Sequence, residues 1–292
     1  MTYYWNSVRT WSYWNYALFS LEGGGKFLAA LGTLYLFVEI ADFFKVYKQD
    51  QYGHFGIVIL VALSILYVLA ARRPVSRVRY KVPKKDLSFE VVIGDLFDRL
   101  GELVISSSST FDTDMSAGLI AADSLQGQMA ARFFGGQTAE IDRQIELSLG
   151  KEPFHMNERR PGKKKEYPIG TVARVSAHGR NFYLVAMAHM NENGTAESDP
   201  KILDEALERL WQNLAKKAEL GDVVIPAMGT GRGRVSLPRK KVIERIAQSF
   251  ADASGEKAFS NRLIIVVRPQ DAERFAINLF EVRDFLGMSL HV

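Results

Sequence analysis

Residues 222–250 read DVVIPAMGTGRGRVSLPRKKVIERIAQSF: a short apolar run, a turn with glycines at alternate positions 229, 231 and 233, and then a helical pattern. Alternate glycines carry no Cβ to hold a ligand off the main chain and permit positive φ, so successive N–H groups can converge on one anion. Beyond the turn, Val242, Ile243, Ile246, Ala247 and Phe250 recur at helical spacing behind Pro238, a residue suited to a first turn. The loop therefore feeds a helix N-terminus, where free amides and the helix dipole favour a phosphate. The stretch is neither a Walker loop, which needs Gly-Lys-Ser/Thr, nor a dinucleotide fingerprint, whose third glycine is replaced by Arg234. A tight strand-to-helix turn with no ligand is the plain alternative.

On both sides of this stretch, strands alternate with helices. SFEVVI (88–93), ELVISSS (102–108), IGTVARV (169–175), FYLVAMAH (182–189), DVVIP (222–226) and RLIIVVR (262–268) have the apolar, β-branched character of buried strands. Helices are expected over 118–134, 139–149 and 272–288, and behind Asp199 and Pro200, where Ile202, Leu203, Ala206, Leu207, Leu210, Trp211 and Leu214 form one stripe. This order predicts an α/β fold, a three-layer α/β/α domain with a mixed sheet over 88–292. Ligands of such folds collect beyond the carboxyl ends of the strands. There the sequence places the glycine turn, the polar stretch SSSTFDTD after ELVIS, and Asp95, which directly follows a strand and can accept a hydrogen bond from an amine.

The first 75 residues differ from the rest. FLAALGTLYLFVEIADFF (27–44) and FGIVILVALSILYVLAA (55–71) approach the roughly 20 residues that span a bilayer as helix. They predict two transmembrane helices behind an aromatic leader, residues 1–26, that lies at headgroup depth. A buried helical hairpin in a soluble protein is the alternative. The run RRPVSRVRYKVPKK holds seven basic residues and no acid, so 72–87 reads as a basic linker on the cytoplasmic side. Both termini are then cytoplasmic and the chain sits in the inner membrane. The basic run suits anionic lipid better than nucleic acid, and no nucleic-acid partner is expected. Glu39 and Asp42 share one face of the first span, suited to a pore or oligomer contact, or simply close to water at its end.

Gly-Asp-Leu at 94–96 after the first strand, the polar loop after the second and VVIPAMGTGRGRV near the end together resemble a macro domain. With two spans, a basic linker, FDTD (111–114) and SLQGQ (124–128), the chain is similar to the membrane-anchored macro-domain effectors of Thoeris anti-phage systems. The resemblance implies that Asp95 and Leu96 meet adenine, and that Gly229, Thr230, Gly231, Arg232, Gly233 and Arg234 wrap a diphosphate. Phe111, Asp112, Thr113 and Asp114 would lie towards the distal ribose, with Gln126 and Gln128 beside them. It also implies a ligand derived from ADP-ribose, such as a histidine conjugate, made by a TIR-domain partner enzyme. Binding would drive homo-oligomerisation and membrane damage.

Catalysis is not expected. Macro domains that hydrolyse ADP-ribose linkages carry an Asn-Ala-Ala-Asn stretch and a glycine run, and SSSSTFDTDMSAG has neither. Asp112 and Asp114 remain possible bases for a hydrolase. A passive tether for ADP-ribosylated partners is a third reading. The absence of cysteine excludes thiolate chemistry, and the scattered histidines offer no zinc spacing, so neither metal nor cofactor is expected.

Overall fold

The computed structural model describes residues 2–46, 53–82, 86–159, 161–190, 196–217, 221–228, 236–275 and 277–289. The chain divides into two compact units, residues 1–75 with 278–281, and residues 76–277 with 282–292.

In the first unit, α1 (Thr2–Val8), α2 (Trp11–Trp14) and a π-helical turn (Asn15–Phe19) precede α3 (Leu21–Phe43) and α4 (Gly53–Ala71). Ser20 caps α3 by accepting from the Gly23 amide at 3.1 Å, which starts the helix six residues earlier than the apolar run suggests. Arg72, 2% exposed, lies 3.9 Å from the Tyr16 ring centroid and pairs with Glu22 at 3.2 Å. The leader is thus fastened to the ends of both long helices. Among the described residues, no helix is both long and apolar enough to cross a membrane. α3 has the length but carries Glu22, Lys26, Glu39 and Asp42. α4 is apolar, but its 19 residues rise only about 28 Å, just under the roughly 30 Å of bilayer hydrocarbon.

The second unit is built on a seven-stranded sheet in the order β1-β2-β11-β10-β3-β7-β6. Its strands are β1 (Arg77–Lys81), β2 (Ser88–Ile93), β3 (Glu102–Ser107), β6 (Val172–Ala177), β7 (Arg180–Ala186), β10 (Val223–Pro226) and β11 (Arg262–Val267). Two small ladders pair β4 (His155–Met156) with β5 (Lys165–Glu166), and β8 (His189–Met190) with β9 (Ala196–Glu197). The five central strands are parallel, and β1 and β6 close the edges antiparallel.

Strand periodicity sends alternate side chains to opposite faces. Leu103, Ile105, Phe182, Leu184, Val224 and Ile264 form a core with Met129 of α5 (Leu125–Phe134) and Ile141 and Ile145 of α6 (Thr138–Leu149). The other face is covered by α7 (Pro200–Lys217) and α8 (Arg239–Glu256), where the Phe250 ring meets Phe89 at 5.9 Å and Trp211 at 5.2 Å between centroids. Trp211 also donates its indole N–H to Ser249 at 2.7 Å, so the largest core residue leaves no polar atom stranded. The three-layer mixed-sheet fold expected from the sequence is present.

Three expectations are corrected. Part of the stretch read as a basic linker is β1, because Arg77 neutralises the buried Glu90 of β2 at 2.6 Å. The helix expected from residue 118 begins only at Leu125, since Ser124 takes the N-cap and accepts from Gly127 at 3.0 Å. The last helix is broken into α9 (Pro269–Arg274) and α10 (Leu279–Ser289).

Candidate functional site

Because the five central strands are parallel, their carboxyl ends share one edge. β2 runs into Asp95, β3 into Ser108–Asp114, β10 into Ala227 and Met228, and β7 into His189. Cross-strand bonds beyond the ladders tie this edge together: Gly94 N to Val267 O at 3.0 Å, Ala227 N to Val266 O at 2.9 Å, and Ser109 N to Ala188 O at 2.8 Å. The glycine turn itself, Gly229, Thr230, Gly231, Arg232, Gly233 and Arg234, lies outside the described residues. Its flanks are described, and they place its entry at the end of β10, two positions from β2.

Asp95 caps the short 3-10 turn Leu96–Asp98. One carboxylate oxygen accepts from Phe97 N at 2.9 Å, and the other takes an ion pair from Arg132 at 2.6 Å. Arg132 lies 5.1 Å from the Phe97 ring centroid and also donates to Gln128 Oε1 at 3.2 Å. Asp95 and Gln128 are therefore brought together through an arginine that the sequence reading did not single out. Its signal was faint, a cation one helical turn after Gln128. The Asp95 side chain stays 31% exposed, and a carboxylate can accept about four hydrogen bonds, so capacity for an amine donor remains. Leu96 is buried beneath it.

The polar loop behaves differently from the expectation for a ligand-lining loop. Phe111 is fully buried, adopts a φ of 50°, and meets the Tyr167 ring edge-on at 5.7 Å. Asp112 is 1% exposed, and its carboxylate accepts from Thr110 Oγ1 at 2.6 Å and from the Lys163 amide at 2.8 Å. Gln126, also buried, donates to Asp112 O at 2.6 Å and accepts from Ser107 at 3.2 Å. These three residues face inward and knit β3, the loop and α5 into one block. Thr113 continues the network by donating to Asp142 at 2.7 Å, and Lys163 pairs with the same carboxylate. The buried carboxylate is satisfied by protein donors, as burial of a charge requires.

Asp114 is exposed. Its carboxylate accepts from Ser116 Oγ at 2.7 Å and from the amides of Ala117 and Ser116 at 3.1 and 2.8 Å. Those bonds, the Ser116 hydroxyl first, hold it below the usual aspartate range. A second polar group that the sequence reading missed lies nearby: Glu166 accepts from Ser109 Oγ at 3.0 Å and lies 3.2 Å from His189 Nδ1. Strands of two residues and long loops bring these positions together, so no spacing in the sequence marks them.

Residues 89–268 match the family model of the Thoeris protein ThsA, Macro domain. The Thoeris protein ThsA of Bacillus amyloliquefaciens (strain Y2) is 26% identical over 147 residues, 49% of this chain and 48% of that protein. The chain thus spans about half the length of the curated relative it matches. A point mutant of the Oceanobacillus iheyensis macrodomain aligns with 73% of this chain and 100% of its own at 14% identity and a TM-score of 0.48. The Trypanosoma brucei macrodomain in complex with ADP-ribose aligns with 70% of this chain and 72% of its own at 9% identity and a TM-score of 0.46.

Proposed function

The chain belongs to the family of the Thoeris ThsA macro domain, and from that premise we propose that it is a receptor for an ADP-ribose-derived signal in anti-phage defence. One observation carries the reading. Asp95 and the entry to the glycine turn leave the same sheet edge from β2 and β10, with only β11 between them. At strand spacing this is about 10 Å, the reach of a nucleoside diphosphate. In this reading Asp95 accepts the adenine amine, while main-chain amides of 229–234 and the α8 N-terminus hold the diphosphate. Gln128, joined to Asp95 through Arg132, stands at the adenine end, and Asp114 faces the distal end. Phe111, Asp112 and Gln126 act as positioning residues, since all three are buried.

The chain binds its ligand without turning it over. The Asp112 carboxylate is engaged inside the protein by Thr110 and Lys163, and the bonds from Ser116 and Ala117 that hold the Asp114 carboxyl below the usual aspartate range make it a weak base. Downstream, the apolar surfaces of α3 and α4 enter the inner membrane. Leu28, Leu36, Phe37, Phe55, Ile57 and Val58 are each more than half exposed, an apolar patch that water does not stabilise. Snorkelling flanks and tilt accommodate helices of marginal length. Two spans cannot enclose a pore, so ligand-bound chains assemble, and binding favours that state only through higher affinity for it. A TIR-domain enzyme supplies the signal.

Calorimetry of the full chain in neutral detergent against ADP-ribose and its amino-acid conjugates tests this. Saturable binding that weakens about tenfold in Asp95→Ala is expected, a loss typical of one charge-assisted hydrogen bond. No heat at millimolar ligand would sink the reading. In cells carrying the signalling enzyme, Gly231→Glu should abolish ligand-dependent dye leakage. Release of free ADP-ribose from a conjugate by the purified chain would instead establish a hydrolase.

A further inference from the structure

Asp95 does not stand at the carboxyl edge as a lone charge. Its Oδ2 accepts from Arg132 Nη1 at 2.6 Å, while Arg132 Nη2 donates to Gln128 Oε1 at 3.2 Å. The guanidinium carbon lies 5.1 Å from the centroid of Phe97, a buried ring that packs against Phe133 at 5.5 Å and Phe182 at 6.4 Å. Three contacts thus fix the head of a long side chain that remains 44% exposed. Asp95 is held as firmly, because its other carboxylate oxygen accepts from Phe97 N at 2.9 Å.

The pairing changes what this strand end selects. An unpaired carboxylate attracts any cation, whereas a carboxylate beside a guanidinium forms a pair of no net charge that presents an acceptor next to donors. A guanidinium has N–H donors beyond the two that serve Asp95 and Gln128. That combination matches a flat base edge on which an amine lies next to a ring nitrogen with a lone pair, as in adenine. It opposes hypoxanthine, whose C6 carbonyl would point its oxygen at the carboxylate and leave both acceptors without a proton between them. A fork already locked by Gln128 and Phe97 also loses little freedom when the base arrives.

We propose that Arg132 makes the site specific for an adenine base: it positions the Asp95 carboxylate to accept from the 6-amino group and itself donates to the adjacent ring nitrogen. This role deepens the ADP-ribose reading and rests on it. Arg132 belongs to α5 and lies outside both the glycine turn and the first turn of α8, so base selection and diphosphate binding are separable by substitution.

The test uses the full chain in neutral detergent. ADP-ribose and its hypoxanthine counterpart, inosine diphosphate ribose, are titrated by calorimetry into the wild type, Arg132→Met and Arg132→Lys. The wild type should prefer ADP-ribose by about tenfold or more, the discrimination of a two-point base contact. Arg132→Met, which keeps the apolar stem over Phe97, should bind ADP-ribose about tenfold more weakly with little change for the hypoxanthine ligand, so the preference collapses. Arg132→Lys, with a charge but no fork, should keep part of it. A preference that is unchanged in Arg132→Met overturns the proposal and leaves the ADP-ribose reading standing, since a purely structural ion pair would weaken both ligands alike. Equal affinity of the wild type for the two ligands overturns it as well. No binding of ADP-ribose to the wild type sinks both readings together. Should Arg132→Met fail to fold by circular dichroism, Arg132→Ala is read by the same criteria.

Discussion

At Gly162 a missing methyl group holds the loop around Asp112 in place. Its φ is +81°, and a Cβ there would collide with the Asp112 carboxylate and approach Leu119 Cδ1 to 2.6 Å. Gly162→Ala should cost about 2 kcal/mol, the order of an overpacked or strained position, and lower the urea midpoint. Gly127 is equally constrained by the backbone of Ala121 and Ala122, so SLQGQ is a packed first turn of α5 whose Gly127 leaves no room for a side chain. Asp114 offers a solution signature. With its carboxyl held down by Ser116 and Ala117, its carbon-13 titration midpoint should lie below that of an ordinary aspartate. Ser116→Ala should move it upward, and an unshifted midpoint in both proteins would show that the turn does not persist in solution.

At the scale of elements, charge crosses the sheet where apolar pairing would be the simpler choice. Arg77 of β1, Glu90 of β2, Arg262 of β11 and Asp222 before β10 form a chain of ion pairs, with Arg77–Glu90 at 2.6 Å and Arg262–Asp222 at 3.2 Å. Burial would raise the Glu90 carboxyl, yet hydrogen bonds and charge from Arg262 and Arg77 outweigh it and leave it below the ordinary glutamate range. A carboxyl lowered in the folded state contributes stability that is complete above its unfolded value and lost as pH falls through the folded one. Glu90→Gln should therefore cost about 3 kcal/mol at neutral pH, the lower end for breaking a buried pair, and markedly less in strong acid. Equal losses at both extremes in denaturant melts would rule out an ionised Glu90. The opposite edge is guarded differently. Ser148 and Gln144 of α6 accept from the amides of Arg174 and Ser176 on β6, which blunts an edge open to pairing with another chain.

At the scale of the whole molecule, the contrast lies between a well-packed α/β unit and an N-terminal unit whose long helices expose rings and branched side chains. Purified full-length chain should require detergent or lipid to stay dispersed, checked by light scattering across the critical micelle concentration. A clear, monodisperse solution without either would remove the membrane part of the proposed function.

The sequence by itself determined six of the seven strands of the sheet, its three-layer mixed character and the identity of the buried helix stripes, because local periodicity and burial leave their mark residue by residue. It also marked Asp95 and the glycine turn, since a strand end followed by an acid or by alternate glycines is a local pattern. Tertiary structure alone decided that Arg77 belongs to a strand and that Phe111, Asp112 and Gln126 face inward. It also brought Arg132 to Asp95 and Glu166 to His189 at the carboxyl edge. A polar side chain carries no trace in sequence of whether its partner, 20 or 80 residues away, will meet it in the core or leave it to solvent, because that partner is chosen by how the layers pack.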